Sequence, residues 1–134
     1  MTDIKFINSN DIIPESFDTI YLSKLLCVSR SKIYSLMINN KLPYYKLNRK
    51  IIIFKQNFIE WIENRPITTF SELKIIKDIP DFFAPNVLQS TLNISKSKIY
   101  EIIKEHNLNG FIPGRKIVLI KENLIKMFLK CSYC

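Results

Sequence analysis

Apolar residues recur along the chain at helical spacing, in two blocks that polar turns interrupt. Two triplets have this spacing: Ile33, Leu36 and Met37 in the first half of the chain, and Ile99, Ile102 and Ile103 in the second. Positions three and four apart lie on one face of an α-helix, so each triplet predicts an amphipathic helix. Ser29 and Ser95 stand where an N-cap hydroxyl would accept from the free backbone N–H groups of the first turn. We therefore predict helices that run from these serines to about Asn40 and His106.

A shorter helix is predicted just before each of these two. In the first half it spans Thr19–Leu26 with Asp18 as its N-cap. In the second half Pro85 takes the first helical position, where its missing N–H costs nothing. The first of these helices carries an apolar stripe of Ile20, Leu22, Leu25 and Leu26. Short turns, Cys27-Val28 and Asn93-Ile94, then lead into the longer helices.

Two β-prone runs and a final helix complete each block. Residues 44–54 flank a polar tip at Asn48-Arg49, and the corresponding tip of the second block is Pro113-Gly114-Arg115, a strong turn signal. The last helices are predicted over residues 56–63 and 122–130. Each block therefore has the predicted order helix, turn, helix, hairpin, helix.

The two blocks repeat one another when the sequence is shifted by 66 residues without a gap. Residues 29–34 then fall on 95–100, and residues 49–51 fall on 115–117. Hydrophobic classes also match between the identities: Val28 with Ile94, Leu36 with Ile102, Ile52 with Val118 and Phe58 with Leu124. Chance agreement between two Ile- and Lys-rich stretches does not explain both kinds of match. We therefore predict a duplicated module of about 45 residues.

These blocks predict an α+β fold that is mostly helical, with small β-hairpins. We expect an N-terminal extension over residues 1–16, a first module over 17–63, a connecting segment over 64–82 and a second module with a C-terminal tail over 83–134. Thr69 and Glu72 have the spacing of a capping box that opens a short helix through Lys77. The connecting segment is too apolar for a free tether, so we expect it to pack against the modules.

The net charge is +8, from 20 basic against 12 acidic residues, and the pI is near 9.4. The positive charge lies in the two blocks, because residues 20–63 carry a net +6 and residues 86–134 a net +5, while residues 64–85 are neutral. A basic balance concentrated in this way indicates a polyanionic partner such as nucleic acid.

Several function classes have no support in the sequence. Neither a glycine-rich phosphate loop nor an apolar run long enough to cross a bilayer is present, and we expect no secretory signal. Three cysteines at low density predict a reduced, cytoplasmic protein. The pair Cys131 and Cys134 lacks two further ligands for zinc, and the sequence gives His106 no catalytic constellation. We therefore expect no metal, no cofactor, no membrane contact and no enzymatic activity.

The order of elements and a short motif resemble the excisionase/MerR-like winged helix-turn-helix domains. The residues that carry the resemblance are Val28-Ser29-Arg30-Ser31-Lys32-Ile33-Tyr34, Leu42-Pro43 and Arg49-Lys50-Ile51, followed by Phe58, Trp61 and Ile62. The match covers residues 17–63 well and 83–130 more loosely. The chain departs from the family at Cys27 and Asn93, where glycine is usual, and Asn109 replaces Pro43 in the second copy. The resemblance implies DNA binding by two tandem winged helix-turn-helix modules, a fold that also serves to dock proteins.

In this resemblance the second helix of each module lies in the major groove, and the hairpin is a wing over the flanking minor groove or its phosphates. The implied DNA-binding residues of the first module are Ser29, Arg30, Ser31, Lys32, Tyr34 and Ser35 on the helix, with Lys46, Arg49 and Lys50 on the wing. Those of the second module are Lys96, Ser97, Lys98, Tyr100, Arg115 and Lys116. Arg30 is the candidate for base readout, since bidentate arginine to guanine is the commonest specific contact. Tyr34 is the candidate for a contact to phosphate or sugar.

The two predicted reading helices differ in charge. Where the first has Ser35, Asn39 and Asn40, the second has Glu101, Glu105 and His106. Phosphates repel carboxylates, so we expect the second module to be the weaker DNA reader. Three roles remain open for the second module: it reads a second DNA site, binds a partner protein or braces the first module.

Aromatic side chains suggest an alternative, a stacking surface for unpaired bases. The residues concerned are Tyr44, Tyr45, Phe54, Trp61, Phe82 and Phe83. Their spacing favours core and wing positions instead, although one of the adjacent Tyr44 and Tyr45 must face away from the module core.

The expected function is that of a non-enzymatic transcriptional regulator or an excisionase-like directionality factor of a bacterial mobile element or phage. Duplex DNA and a recombinase would be its partners. The abundance of Ile, Lys and Asn fits an AT-rich genome. The alternative is a replication accessory subunit that binds single-stranded or template DNA and docks on a polymerase, primase or helicase.

Overall fold

The computed structural model describes residues 13–111 and 116–131, which form two compact units, residues 13–67 and residues 68–131. The architecture is α+β, since each unit combines helices with a three-stranded antiparallel sheet. Within these described residues, no helix is long and apolar enough to cross a membrane.

Helix α1 spans Thr19–Leu26 and begins at the predicted N-cap Asp18, whose Oδ1 accepts from a first-turn backbone N–H at 2.9 Å. It ends at Cys27, whose φ of 56° lies in the left-handed region. The buried residues of the helix are Thr19, Leu22 and Leu26. Ile20 is 46% exposed, so its predicted place in the apolar stripe is wrong. At 100° per residue, Ile20 lies on the side of the helix opposite to Leu22 and Leu26, which face the core.

Helix α2 spans Arg30–Asn39 and packs against α1. It begins at Ser29, whose Oγ accepts from the Lys32 backbone N–H at 3.2 Å, which confirms the predicted cap. Its buried residues are Ile33, Leu36 and Met37, as the spacing predicts. The opposite side of α2, which includes its first turn, therefore faces solvent.

A small sheet completes the first unit, with β1 at Ser16–Phe17, β2 at Tyr45–Leu47 and β3 at Lys50–Phe54. Strand β3 lies between the other two, and both pairings are antiparallel. The hairpin of β2 and β3 turns at Asn48, whose φ is 57°. Helix α3, Lys55–Ile62, follows β3 directly and starts one residue earlier than predicted.

Helices and sheet enclose the core of the first unit. Its buried members are Ile13, Phe17, Leu22, Leu26, Ile33, Leu36, Met37, Leu42, Ile53 and Phe58. Fully burying one such side chain stabilises a fold by about 1.5–3 kcal/mol, so this cluster fixes the orientation of α2. Trp61 stacks on Phe58 with ring centroids 6.2 Å apart, and its indole N–H donates to the Asn40 carbonyl at 2.9 Å. These contacts join α3 to the end of α2.

The second unit has the same order of elements. They are β4 (Phe82–Phe83), α5 (Pro85–Leu92), α6 (Lys96–His106), β5 (Asn109–Phe111), β6 (Val118–Ile120) and α7 (Lys121–Cys131). Strand β6 lies between β4 and β5. Pro85 takes the first position of α5, and Ser95 caps α6 by accepting from the Lys98 backbone N–H at 3.3 Å, so both predictions are confirmed.

Single backbone features recur 66 residues apart. Non-glycine residues with left-handed φ come in two such pairs, Cys27 with Asn93 and Lys41 with Asn107. The Lys55 N–H donates to the Glu15 carbonyl at 2.9 Å, and the Lys121 N–H donates to the Asp81 carbonyl at 2.9 Å. In both units, the tight turn between the paired helices thus has a non-glycine residue in the left-handed region.

The segment ahead of β4 belongs to the second unit. Phe70–Glu72 forms a single 3-10 turn and α4, Lys74–Lys77, is a separate short helix, because Leu73 between them is extended with ψ of 134°. The predicted continuous helix with a capping box is therefore wrong. The Thr69 hydroxyl donates to the Glu72 carboxylate at 2.8 Å and caps no backbone N–H. The segment is packed as expected, since Phe70 stacks on Phe128 with centroids 4.1 Å apart.

Candidate nucleic-acid interface

The first turn of α2 presents polar side chains to solvent. Arg30, Ser31 and Lys32 are exposed behind the Ser29 cap, because the buried face of the helix points the other way. The turn contains no acidic residue, and among the described residues no carboxylate pairs with Arg30 or Lys32. The positive end of the helix dipole and these two cations therefore act together. An anion is the ligand that such an end stabilises.

Tyr34 lies one turn farther along α2, half-buried at the edge of the core. Hydrogen bonding with the Arg30 side chain, and then with the Thr19 side chain, favours the charged form of its phenol. These bonds lower the pKa of Tyr34, the charges of Arg30 and Lys46 act in the same direction, and burial opposes them in part. The role of Thr19 is absent from the sequence prediction. Its only signal was a hydroxyl at the start of the neighbouring helix.

The wing adds Lys46 on β2 and Arg49 beside the turn, and both are exposed. The charge of Lys46 acts on Tyr34 in the direction that lowers the pKa of that residue. Arg49 follows Asn48, whose left-handed φ reverses the chain. Helix and wing thus contribute cations to one region of the first unit.

Lys50 differs from the other predicted wing residues because it is paired. Its Nζ lies 3.4 Å from Asp18 Oδ2, and both side chains are about a third exposed. Asp18 therefore caps α1 with one carboxylate oxygen and holds the start of β3 with the other. A contact between Lys50 and DNA stays a prediction and requires this ion pair to open.

The predicted helix residue Ser35 is half-buried, and its Oγ accepts from the Asn39 amide at 3.1 Å. Two polar side chains of α2 are thus bonded to each other.

The aromatic residues form no open stacking surface. Of the six considered, Tyr45, Phe54 and Phe83 are buried, Tyr44 and Trp61 are half-buried, and Phe82 is exposed. Tyr45 lies outside the core cluster of the first unit, as its alternation with Tyr44 requires, yet it packs edge to face on Phe54 with centroids 5.6 Å apart. The burial of these rings therefore favours positions in the core and the wing over a surface on which bases could stack.

The corresponding helix of the second unit carries a paired charge. Lys96, Ser97 and Tyr100 are exposed on α6. The Nζ of Lys98 lies 3.6 Å from Glu101 Oε2, whereas the equivalent residues of α2 are Lys32 and Ser35, which form no ion pair with each other. The acidic substitution therefore neutralises a lysine of α6 as well as adding a negative charge.

The wing of the second unit is described only in part. Lys116 is exposed, while Arg115 and the rest of the tip at residues 112–115 lie outside the described residues. Ala84 stands where the first unit has Asp18, so no carboxylate at that position pairs with Lys116. Among the described residues, Lys116 forms no ion pair, whereas Lys50 of the first wing is paired with Asp18.

Metal-ligating side chains are scattered. Within the part of the chain that the structure describes, no group of three or more His, Cys, Asp or Glu residues could hold a metal ion. Cys27 is an exposed free thiol, and Cys134 of the predicted terminal pair lies outside the described residues.

Residues 17–66 match the family model of a helix-turn-helix domain. The matched span contains α1, α2, the hairpin and α3, so these elements form a helix-turn-helix DNA-binding domain. No curated protein and no solved structure matches the chain.

Proposed function

We propose, from the helix-turn-helix domain at residues 17–66, that the chain binds double-stranded DNA sequence-specifically and without catalysis. In this geometry α2 lies in the major groove with its N-terminal residues nearest the base edges. Arg30 then donates to O6 and N7 of a guanine, and the backbone N–H groups behind Ser29 bind a phosphate. Ser31, Lys32 and Lys46 contact flanking phosphates, and Arg49 reaches the minor groove beside them.

One observation carries this proposal: the exposed first turn of α2 holds Arg30 and Lys32 without a neutralising carboxylate among the described residues. Surface cations that serve only solubility are commonly interspersed with acidic residues. Here they coincide with the positive end of a helix, and Lys46 of β2 is a further exposed cation of the same unit. Such a concentration of positive charge suits the DNA backbone.

The salt dependence of binding tests the proposal. If the first unit neutralises five or so phosphates, the slope of log affinity against log salt concentration should be about −4 to −5 on a 25-base-pair duplex. Lys32→Ala should make the slope shallower by about one. Lys24→Ala, an exposed lysine on α1, is the control and should leave it unchanged. A flat salt response would contradict DNA binding in any form.

We further infer that the second unit is a second winged helix-turn-helix module that arose by duplication. The matching element order and the backbone features that recur 66 residues apart support this inference. Lys96, Ser97, Lys98 and Tyr100 on α6, with Arg115 and Lys116, are its proposed contacts to DNA. Because Glu101 pairs with Lys98, we expect it to bind more weakly than the first module.

For its biological role, we propose a transcriptional regulator or an excisionase-like directionality factor of a bacterial mobile element or phage. The match to a helix-turn-helix family and the likeness to excisionase/MerR-like domains support a regulator, and the AT-rich composition suits such an element. Such a protein acts in the cytoplasm, where the genome lies. A directionality factor would also contact a recombinase.

The acidic side of α6 favours a second candidate, a replication accessory subunit. Glu101 and Glu105 are exposed and repel phosphates, and they would suit a basic surface on a polymerase, primase or helicase. Titration with duplex and single-stranded oligonucleotides of equal length at one salt concentration separates the two roles. A regulator should prefer duplex by at least about tenfold, whereas preference for single strands would favour the accessory role.

A further inference from the structure

The second unit contains a cavity of about 200 Å³ between the end of α6 and α7, partly open to solvent. Its walls are residues 106–108 and four residues of α7: Asn123, Lys126, Met127 and Lys130. These four have the spacing of a single helix face. Leu108 and Met127 are 3% and 5% exposed, whereas Lys126 and Lys130 are exposed. The cavity therefore has an apolar inner part and a cationic mouth.

The first unit has an aromatic ring at the corresponding position. A shift of 66 residues places Met127 on Trp61 and His106 on Asn40. In the first unit, the Trp61 indole N–H donates to the Asn40 carbonyl at 2.9 Å, so the ring lies between α3 and the end of α2. Met127 has neither a ring nor an N–H donor in its side chain. The cavity thus lies where the repeat relation would place an indole.

The charge at the mouth of the cavity also differs between the units. Lys126 and Lys130 stand where the first unit has the acidic Glu60 and the neutral Asn64. Lys126 lies 3.4 Å from Glu122, but these side chains are 64% and 74% exposed, so solvent screens the pair and an anion can replace it. Among the described residues, Lys130 has no carboxylate partner. The ring is lost and two cations are gained at one place.

We propose that this cavity is a binding site for a small planar aromatic molecule that carries a carboxylate. The ring occupies the apolar part against Leu108 and Met127, and the carboxylate lies between Lys126 and Lys130. A cavity of about 150 Å³ holds one benzene ring, and drug-sized ligands occupy about 300–1,000 Å³. A volume of about 200 Å³ therefore suits one ring or two fused rings.

The site is separate from the proposed contacts to DNA. Lys96 opens α6 and His106 ends it, so at 1.5 Å per residue the two positions are about 15 Å apart along the helix. A molecule bound at the end of α6 leaves the first turn of that helix accessible. The inference therefore goes beyond DNA binding and does not depend on it.

The test is an NMR titration of the 134-residue chain, labelled with ¹⁵N, with indole-3-acetate at neutral pH. The backbone amide signals of Asn107 and Leu108 should shift saturably, with a Kd of about 0.1–1 mM for a ligand of this size. The amides of Lys41 and Leu42, 66 positions earlier, are the control in the same spectrum and should shift far less, because Trp61 is present there. Equal shifts of both pairs would overturn the inference.

Indole-3-acetamide tests the requirement for charge, because it has the same shape without the carboxylate. It should bind about fivefold more weakly than the acetate. Lys130→Ala should weaken binding of the acetate about twofold to threefold and leave binding of the acetamide unchanged. Lys104→Ala, the control, removes an exposed lysine of α6 that does not line the cavity, and should change neither. Equal binding of the two compounds would overturn the inference and indicate an uncharged occupant, such as an aromatic side chain of a partner protein.

Met127→Trp tests the location by restoring the residue of the first unit. The larger ring should fill the cavity, so indole-3-acetate should no longer shift the amides of Asn107 and Leu108. Circular dichroism checks that the variant is folded. Saturable shifts that persist in the folded variant would place the ligand elsewhere and overturn the inference. If Met127→Trp does not fold, Lys130→Ala decides, because Lys130 is exposed and its truncation leaves the core intact.

Discussion

At the scale of single residues, ion pairing distinguishes lysines that look equivalent in the sequence. Lys32 and Lys50 both belong to the first basic block, yet only Lys50 has a carboxylate partner among the described residues. That partner, Asp18, is 32 positions away in the chain. The pairing depends on where the hairpin returns relative to α1, which no local pattern specifies. The exposure of Lys32, in contrast, follows from helical periodicity alone.

Asp18→Asn should increase affinity for random duplex by about twofold to fivefold and make the salt slope steeper by about 0.9, because it releases Lys50 for a phosphate. Asparagine is as good an N-cap as aspartate, so the free energy of unfolding should change by less than about 0.5 kcal/mol. Fluorescence anisotropy titrations at several salt concentrations measure both effects.

The matched control is Glu15→Gln, which removes the same charge from an exposed residue near Asp18 in the sequence. It should leave the slope unchanged. Equal effects of the two substitutions would mean that net charge, and not the release of Lys50, changes the affinity.

At the scale of elements, the sequence predicts the helices whose apolar residues recur at regular spacing. It misses elements that are too short to show such a spacing. Helices α2 and α6 follow from the apolar triplets and their serine caps. Strands β1 and β4 have two residues each, which is too short for an alternation of apolar and polar residues to be recognised in the sequence. The sequence also gives no sign that the helix is interrupted at Leu73, because the apolar residues before and after it have the spacing of one continuous helix. Capping chemistry and amphipathic spacing thus locate the candidate site, whereas ion pairs and edge strands require the tertiary structure.

Glu101→Ser should raise the affinity of the full chain for duplex DNA about fivefold, if α6 approaches DNA as α2 does. A carboxylate roughly 5 Å from a phosphate is repelled by about 1 kcal/mol even at the dielectric constant of water, and the substitution also releases Lys98. Binding isotherms at one low salt concentration give the comparison.

Glu122→Ser is the control, because Glu122 forms a similar ion pair with Lys126 at 3.4 Å, but on α7. It should give little gain. The same affinity for Glu101→Ser and the unchanged chain would indicate that α6 faces a protein.

At the scale of the whole molecule, the two units differ in charge pairing although they share an order of elements. Each has its own compact set of contacts, so their contributions to binding can be measured separately. The division falls after residue 67, earlier than the start of the predicted second module. A fragment that began at residue 80 would lack Phe70, whose ring stacks on Phe128. The fragments to compare are therefore residues 1–67 and 68–134.

Residues 1–67 should retain most of the affinity for duplex DNA, and residues 68–134 should bind at least about tenfold more weakly. The reason is that Arg30 and Lys32 of α2 have no carboxylate partner among the described residues, while Lys98 of α6 is paired with Glu101. Both fragments are titrated at the same salt concentration after circular dichroism has shown that each is folded. Equal affinities would contradict this assignment of the stronger site.

The contact between Trp61 and Asn40 also makes the first unit observable on its own. Trp61 is the sole tryptophan of the chain, and its indole N–H donates to the Asn40 carbonyl at the end of α2. Its emission, excited beyond the absorption of tyrosine, therefore monitors one unit without a label. Circular dichroism registers the helices of both. Recorded together during heating, the two signals reveal whether the units melt in one cooperative transition or one after the other.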